Sequence, residues 1–210
     1  MNNNYIAKEV SHPMNGLYTE DKTDPKLDSF SFDSNSGVLD IVFDETINPK
    51  SLDVSTITLQ GSADSLQASH RLTDPLTTRI SSETPSTYVK IQLGESDQNE
   101  IKAIVDLANH KALEDSTFLS ATPATIIDMN KNFLFPISNS SAQKASKYTK
   151  DTTGPKIRGV SLDLNTGTLA FEFDETVDRA TFRENNIAIQ SHQNISSTEA
   201  VQVQIKGRDS

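Results

Sequence analysis

Forty residues of this chain are written twice. Residues 21–60 read DKTDPKLDSFSFDSNSGVLDIVFDETINPKSLDVSTITLQ, and residues 151–190 read DTTGPKIRGVSLDLNTGTLAFEFDETVDRATFRENNIAIQ. They align without a gap at an offset of 130. Pro25/Pro155, Asp33/Asp163, Gly37/Gly167, Leu39/Leu169, Phe43/Phe173, Ile57/Ile187 and Gln60/Gln190 are identical, and most other pairs keep their character, as Leu27/Ile157 and Leu52/Phe182 do. A fixed period constrains the fold more than composition does, because one structure must suit both copies. The same offset lays residues 11–25 over 141–155, with Tyr18/Tyr148 and Thr19/Thr149 in register. The expected organisation is therefore a tail of a preceding module (1–20), a complete module (21–150) and the incomplete first part of a second (151–210). The chain reads as a window on a tandem array, and Met1 as either an internal methionine or an introduced start.

Within the module, period-two alternation dominates. KLDSFSF, an N-S-G turn and GVLDIVFDE predict strand, turn and strand, with Leu39, Ile41 and Phe43 on one face and Leu169, Phe171 and Phe173 repeating it. SLDVSTITLQ predicts a short helical turn near Leu52 and a third strand. QASHRLT and STYVKIQL predict two more strands, separated by Ser/Thr-rich loops. FLSATPATIID and NFLFPIS predict closing strands around residues 128–132. One segment differs: in SDQNEIKAIVDLANH, Ile101, Ile104, Val105 and Ala108 recur at helical spacing. Asp97 and Glu100 resemble a capping box, with Ser96 a rival cap, so a helix is predicted over about 97–109. The fold class is mostly β: a β-sandwich with one inserted helix, repeated with period 130.

The acids of FDET, at Phe43-Asp44-Glu45-Thr46 and again at Phe173-Asp174-Glu175-Thr176, are the most conspicuous chemical feature. Neighbours on a strand point to opposite faces, so Asp44 and Glu45 do not converge on one bond as a general acid/base pair. A strand end in solvent is the plain reading. The other is calcium, a hard cation that takes six to eight oxygens. Its candidate ligands are Asp21, Asp44, Glu45, Asp128, Asp151, Asp174 and Glu175. No EF-hand-like run supplies such ligands locally.

The remaining chemistry is sparse. His12, His70, His110 and His192 show no paired ligand spacing, which argues against zinc, and His110 suits a helix C-terminus. There is no G-x-S-x-G elbow, no GxGxxG and no Walker A run. With no Cys, disulfides and thiolate metal sites are excluded. The formal net charge of −10 argues against nucleic acid and anionic membrane surfaces. No apolar run reaches membrane-spanning length, and MNNNYIAKEVSHP has no apolar core of a signal peptide. Asn139-Ser140-Ser141 and Asn194-Ile195-Ser196 are glycosylation acceptor triplets. No catalytic residue and no required cofactor is expected.

The D-x-T-x-P linker, the strand ending F-D-E-T-[IV], the L-D-x-S-x-I-T-L-Q stretch and the D-M-N-x-N loop together resemble the bacterial Ig-like repeats of surface-layer proteins and large adhesins. That family commonly has F-S-E or F-D-E at the strand end and D-x-A-G-N in the late loop. This chain has Asn130 and Lys131 where the family favours Ala and Gly, and Lys tolerates a left-handed backbone poorly. The resemblance implies an Ig-like sandwich, an extracellular or cell-surface location and a load-bearing or spacer role, with calcium stiffening joints. The expected function is thus a non-enzymatic stalk or adhesion segment, whose partners are neighbouring modules of the same protein. The alternative is a glycan- or protein-binding module, or an accessory domain of a secreted hydrolase. An exposed aromatic platform would favour that alternative, but most of the nine Phe and four Tyr fall at inward positions.

Overall fold

Alternation decides the first hairpin. In the computed structural model, which describes residues 19–64, 66–107, 117–193 and 201–205, strand β1 (Leu27–Asp33) buries Phe30 and Phe32, and β2 (Val38–Ile47) buries Leu39, Ile41, Phe43 and Ile47. The two pair antiparallel, Phe30 opposite Ile41 and Phe32 opposite Leu39. Their turn is set by Asp33, whose carboxylate accepts the Asn35 and Ser36 amides at 2.9 and 3.3 Å. It closes on Gly37 at φ +67°, a conformation that suits a residue without Cβ. Two short 3-10 turns follow, Pro49–Ser51 capped by Asn48 and Val54–Thr56 capped by Asp53.

Then come β3 (Ile57–Gln60), β4 (Ser69–Arg71), β5 (Thr78–Arg79), β6 (Ser86–Gln92), helix α1 (Glu95–Ala103), β7 (Phe118–Ala121), β8 (Gln143–Lys144) and β9 (Lys147–Thr149). They form a five-stranded sheet ordered β5-β6-β2-β1-β9 and a four-stranded sheet ordered β4-β3-β7-β8. The inward faces share one core: Phe30, Phe32, Leu39, Ile41 and Phe43 from one sheet with Val89 and Ile91, and Ile57, Leu59, Leu119 and Ala121 from the other. This is a mostly β sandwich with a single α-helix among the described residues. The first and last strands, β1 and β9, lie side by side and parallel, with Ser31, Phe32 and Asp33 opposite Lys147, Tyr148 and Thr149. Tyr148 stacks on Phe32.

Two elements differ from the sequence expectation. The helix runs over Glu95–Ala103 and not 97–109. Gly94 precedes it and Asp74 supplies the cap from another loop, its Oδ2 accepting the Ser96 amide at 2.8 Å. Asp97 is therefore an inward helical residue, not the cap. Ile104 turns to extended backbone, as two consecutive β-branched residues favour, and Leu107 still reaches the core. Residues 108–110, including His110, lie outside the described residues, as do His12, Tyr18 and Asn194. NFLFPIS is also not a regular strand. It makes isolated bridges, Ile127 to Phe133 and Ala121 to Ile137, because Pro136 has no amide to donate.

The chain divides into two compact units, Met1–Thr152 and Thr153–Ser210. The second begins with β10 (Ile157–Asp163) and β11 (Thr168–Phe173), paired with Val160 opposite Phe171 and Leu162 opposite Leu169. The irregularity between Ile157 and Gly159 matches that between Leu27 and Ser29. Gly167 at φ +66° matches Gly37. The 3-10 turns recur at Arg179–Thr181 and Glu184–Asn186. Next, β12 (Ala188–Gln190) pairs with β13 (Gln202–Gln204) as β3 pairs with β4. Here the numbering slips: Thr58 faces Arg71, whereas Ala188 faces Gln204, so the second loop is three residues longer. The largest difference is burial. Phe30 and Phe32 are 1% and 2% exposed, while their counterparts Val160 and Leu162 are 58% and 45% exposed. The first unit covers this face with the sheet that holds β3 and β7, and the second has no described counterpart of β7.

Candidate metal centre

The FDET acids divide their work. Asp44 faces the linker: its carboxylate accepts the Lys26 amide at 2.7 Å, and its own amide donates to the Lys26 carbonyl at 3.0 Å. Asp174 and Lys156 repeat this clasp at 2.7 and 3.0 Å. The first acid of the pair is thus a structural latch that fixes where the linker joins the hairpin.

Glu45 points the other way, as strand alternation requires. One oxygen each from Glu45, Asp21 and Asp128 lie within 4.8 Å of one another. Asp128 is buried and organises its loop. Its Oδ1 accepts the Asn130 and Asn132 amides at 2.8 and 2.7 Å, and its Oδ2 accepts Asn132 Nδ2 at 2.8 Å. Asn132 Nδ2 also donates to the Asp21 carbonyl at 3.2 Å, and Asn130 Nδ2 to Asp21 Oδ2 at 3.3 Å. Linker, strand end and late loop thereby converge. Lys131 takes a left-handed φ of +72°, the conformation its side chain disfavours. The three Asp128 bonds and the Asn130 and Asn132 contacts on either side hold it there.

Burial pushes the Glu45 carboxyl above its usual range, and the charges of Asp21, Asp128, Asp44 and Asp24 add to that. The Thr23 amide and hydroxyl hold Asp21 below it. The donor set is all oxygen, with no nitrogen or sulfur ligand, which matches a hard cation. Three side chains leave further positions for carbonyls or water. Of the seven sequence candidates, the structure thus brings together Asp21, Glu45 and Asp128. Asp44 and Asp174 serve as latches. Asp151 pairs with Lys102 Nζ at 2.6 Å. Glu175 follows the second latch, in a unit with no described counterpart of Asp128. Asn139 is exposed, as a glycosylation acceptor must be.

A second constellation has no sequence signal. His70 on β4 is buried between Asp97 (Nε2 to Oδ1, 2.7 Å) and Glu100 (Nδ1 to Oε2, 3.2 Å). Asp97 also accepts the Thr73 amide at 2.9 Å, the Asp74 amide at 3.2 Å and the Thr77 hydroxyl. Thr77 in turn accepts the Gly94 amide at 2.8 Å. The network ties β4, α1 and the loop between β4 and β5. His70 is 27 residues from Asp97, so no local spacing announces it. Most described aromatics are buried or half-buried, but Phe133 and Phe135 are exposed, with Lys26 Nζ 5.8 Å from the centre of the Phe135 ring.

No family model and no curated protein matches the sequence. Among solved structures, the chain is similar to the N-terminal part of the bacterial S-layer protein SbsC, with a TM-score of 0.37 and 10% identity over 88% of this chain and 45% of that one. The chain thus spans under half of that structure.

Proposed function

We propose that this chain is a non-enzymatic, load-bearing repeat segment of an extracellular or cell-surface protein, a stalk or spacer held under tension. The supporting observation is the parallel pairing of β1 with β9. These strands are continuous with the linkers at the two ends of the first unit. Tension through those linkers pulls β1 by its N-terminal end and β9 by its C-terminal end. Parallel neighbours pulled this way slide past each other, so their hydrogen bonds are loaded together and not one at a time. The bonds involved include Ser34 amide to Thr149 carbonyl and Ser146 amide to Phe30 carbonyl, both 2.8 Å.

Single-molecule stretching of the chain between its termini tests this. The first unit is expected to rupture as one event that releases roughly 40 nm of chain, at a force governed by its unfolding rate. Tyr148→Pro removes a donor next to β1 and is expected to lower that force markedly. Rupture at low force in the parent, or no effect of the proline, would contradict the reading. Protease treatment of intact producing cells tests the location, since a surface segment is removed.

A second reading concerns calcium at Asp21, Glu45 and Asp128, supported by three converging carboxylates that repel one another. A cation there would tie the linker to the late loop and stiffen the joint. Millimolar calcium is expected to raise the melting midpoint, because a ligand of the native state alone stabilises it. An unchanged midpoint would exclude the site. The exposed Phe133 and Phe135 favour the alternative of a protein- or glycan-binding loop, and Phe133→Ser with Phe135→Ser would abolish such binding while leaving rupture force unchanged.

A further inference from the structure

We infer that helix α1 is a strap: through Lys102 it grips the chain where it leaves the first unit, and it keeps tension off β9. The inference deepens the tension-bearing reading and rests on it for the pull. β9 is poorly suited to hold a pull by itself. It is three residues long and lies at the edge of its sheet, paired to β1 alone among the described strands. Just beyond it, Asp151 Oδ2 meets Lys102 Nζ at 2.6 Å, and the Thr152 amide donates to Asn35 Oδ1 at 3.2 Å. A pull arriving along the chain from Thr153 meets both contacts before it reaches the bond from the Ser34 amide to the Thr149 carbonyl.

The helix is anchored well enough to take that pull. Ile101, beside Lys102, is fully buried in the core. Asp97 ties the helix to β4 through His70. Gln98 lies against the turn between β1 and β2: its side chain fills the space that a Cβ on Gly37 would need, and its Nε2 donates to the Leu93 carbonyl at 2.8 Å. Force on Lys102 thus spreads into both sheets and the turn. The ion pair supplies position more than stability. Its side chains are only 19% and 17% exposed, and at that depth desolvation offsets much of the attraction. Asp151 stands where the chain leaves the unit, so without Lys102 it turns to water at little cost to the fold. The entry is gripped in the same way. Asp21, the counterpart of Asp151 at the offset of 130, is held by Asn130 and Asn132.

The test compares the whole chain with Lys102→Met and with the exchanged pair Lys102→Glu plus Asp151→Lys. In ¹⁵N relaxation the amides of Asp151 and Thr152 are expected to be as ordered as strand amides in the parent, flexible in Lys102→Met and ordered again in the exchanged pair. The melting midpoint of the first unit is expected to move by less than about 2 °C in Lys102→Met. Held at constant force between its termini, Lys102→Met is expected to rupture about fivefold sooner than the parent, the effect of one modest ion pair on the path. Unchanged order in Lys102→Met overturns the strap, and so does an equal loss of order in the exchanged pair. A midpoint lowered by many degrees also overturns it, since the pair then supports the fold and not the exit. If the parent resists force and Lys102→Met resists it equally, the strap fails while the tension-bearing reading stands. If the parent itself ruptures at low force, that reading fails and the strap falls with it.

Discussion

Asp97 shows what a single buried carboxylate does for this fold. Burial pushes its carboxyl up, but the Thr73 amide, the Thr77 hydroxyl, His70 and the Asp74 amide outweigh that and hold it below its usual range. A carboxylate with a depressed folded pKa adds stability above the unfolded value, and that stability is lost as pH falls through the folded one. The first unit is thus expected to lose stability below about pH 4, and Asp97→Asn to flatten that acid limb in urea titrations across pH. A variant with an unchanged acid limb would assign the loss to other carboxylates. Lys131 makes the opposite case, a residue at odds with its backbone. Lys131→Gly is expected to raise stability by about 1 kcal/mol, as read by chemical denaturation. Glu45 has a raised pKa, so its ionisation costs stability as pH rises through that value. Glu45→Gln is expected to raise the neutral-pH melting midpoint in chelator and to reduce the response to calcium. A lower midpoint in chelator would show that the carboxylate is needed without a cation.

At the scale of elements, the hairpins were legible and the irregular parts were not. Period two in KLDSFSF and GVLDIVFDE is enough to place Phe30, Phe32, Leu39, Ile41 and Phe43 inward, because one sheet face must be dry. The helix was legible in kind but not in extent, since Asp74 caps it from 22 residues away and no local pattern encodes that. The metal candidates were legible as a set of acids, and alternation explains why Glu45 and not Asp44 joins Asp21 and Asp128. Which acids meet depends on chain closure over more than 100 residues, which spacing does not report. The His70 network was invisible for the same reason. The hairpins also differ in what supports them. Phe32→Ala is expected to cost about 3–5 kcal/mol as a core cavity, and Leu162→Ala less than about 1 kcal/mol. Equal losses in thermal unfolding would mean that the exposed face is in fact covered.

Across the chain the same hairpin is built twice, buried in the first unit and exposed among the described residues of the second. The shared latch, turn and bulge argue that the local sequence suffices to shape the hairpin. The contrast in burial argues that stability comes from the strands packed on and beside the hairpin, β3, β7 and β6, and not from the hairpin itself, as expected when a two-stranded ribbon stands alone. Native-state amide exchange across the full chain measures this most directly. Amides of Phe30, Phe32 and Ile41 are expected to exchange only through global opening of the first unit, and those of Val160, Leu162 and Phe171 orders of magnitude faster. Matching protection at the two sets would contradict the account.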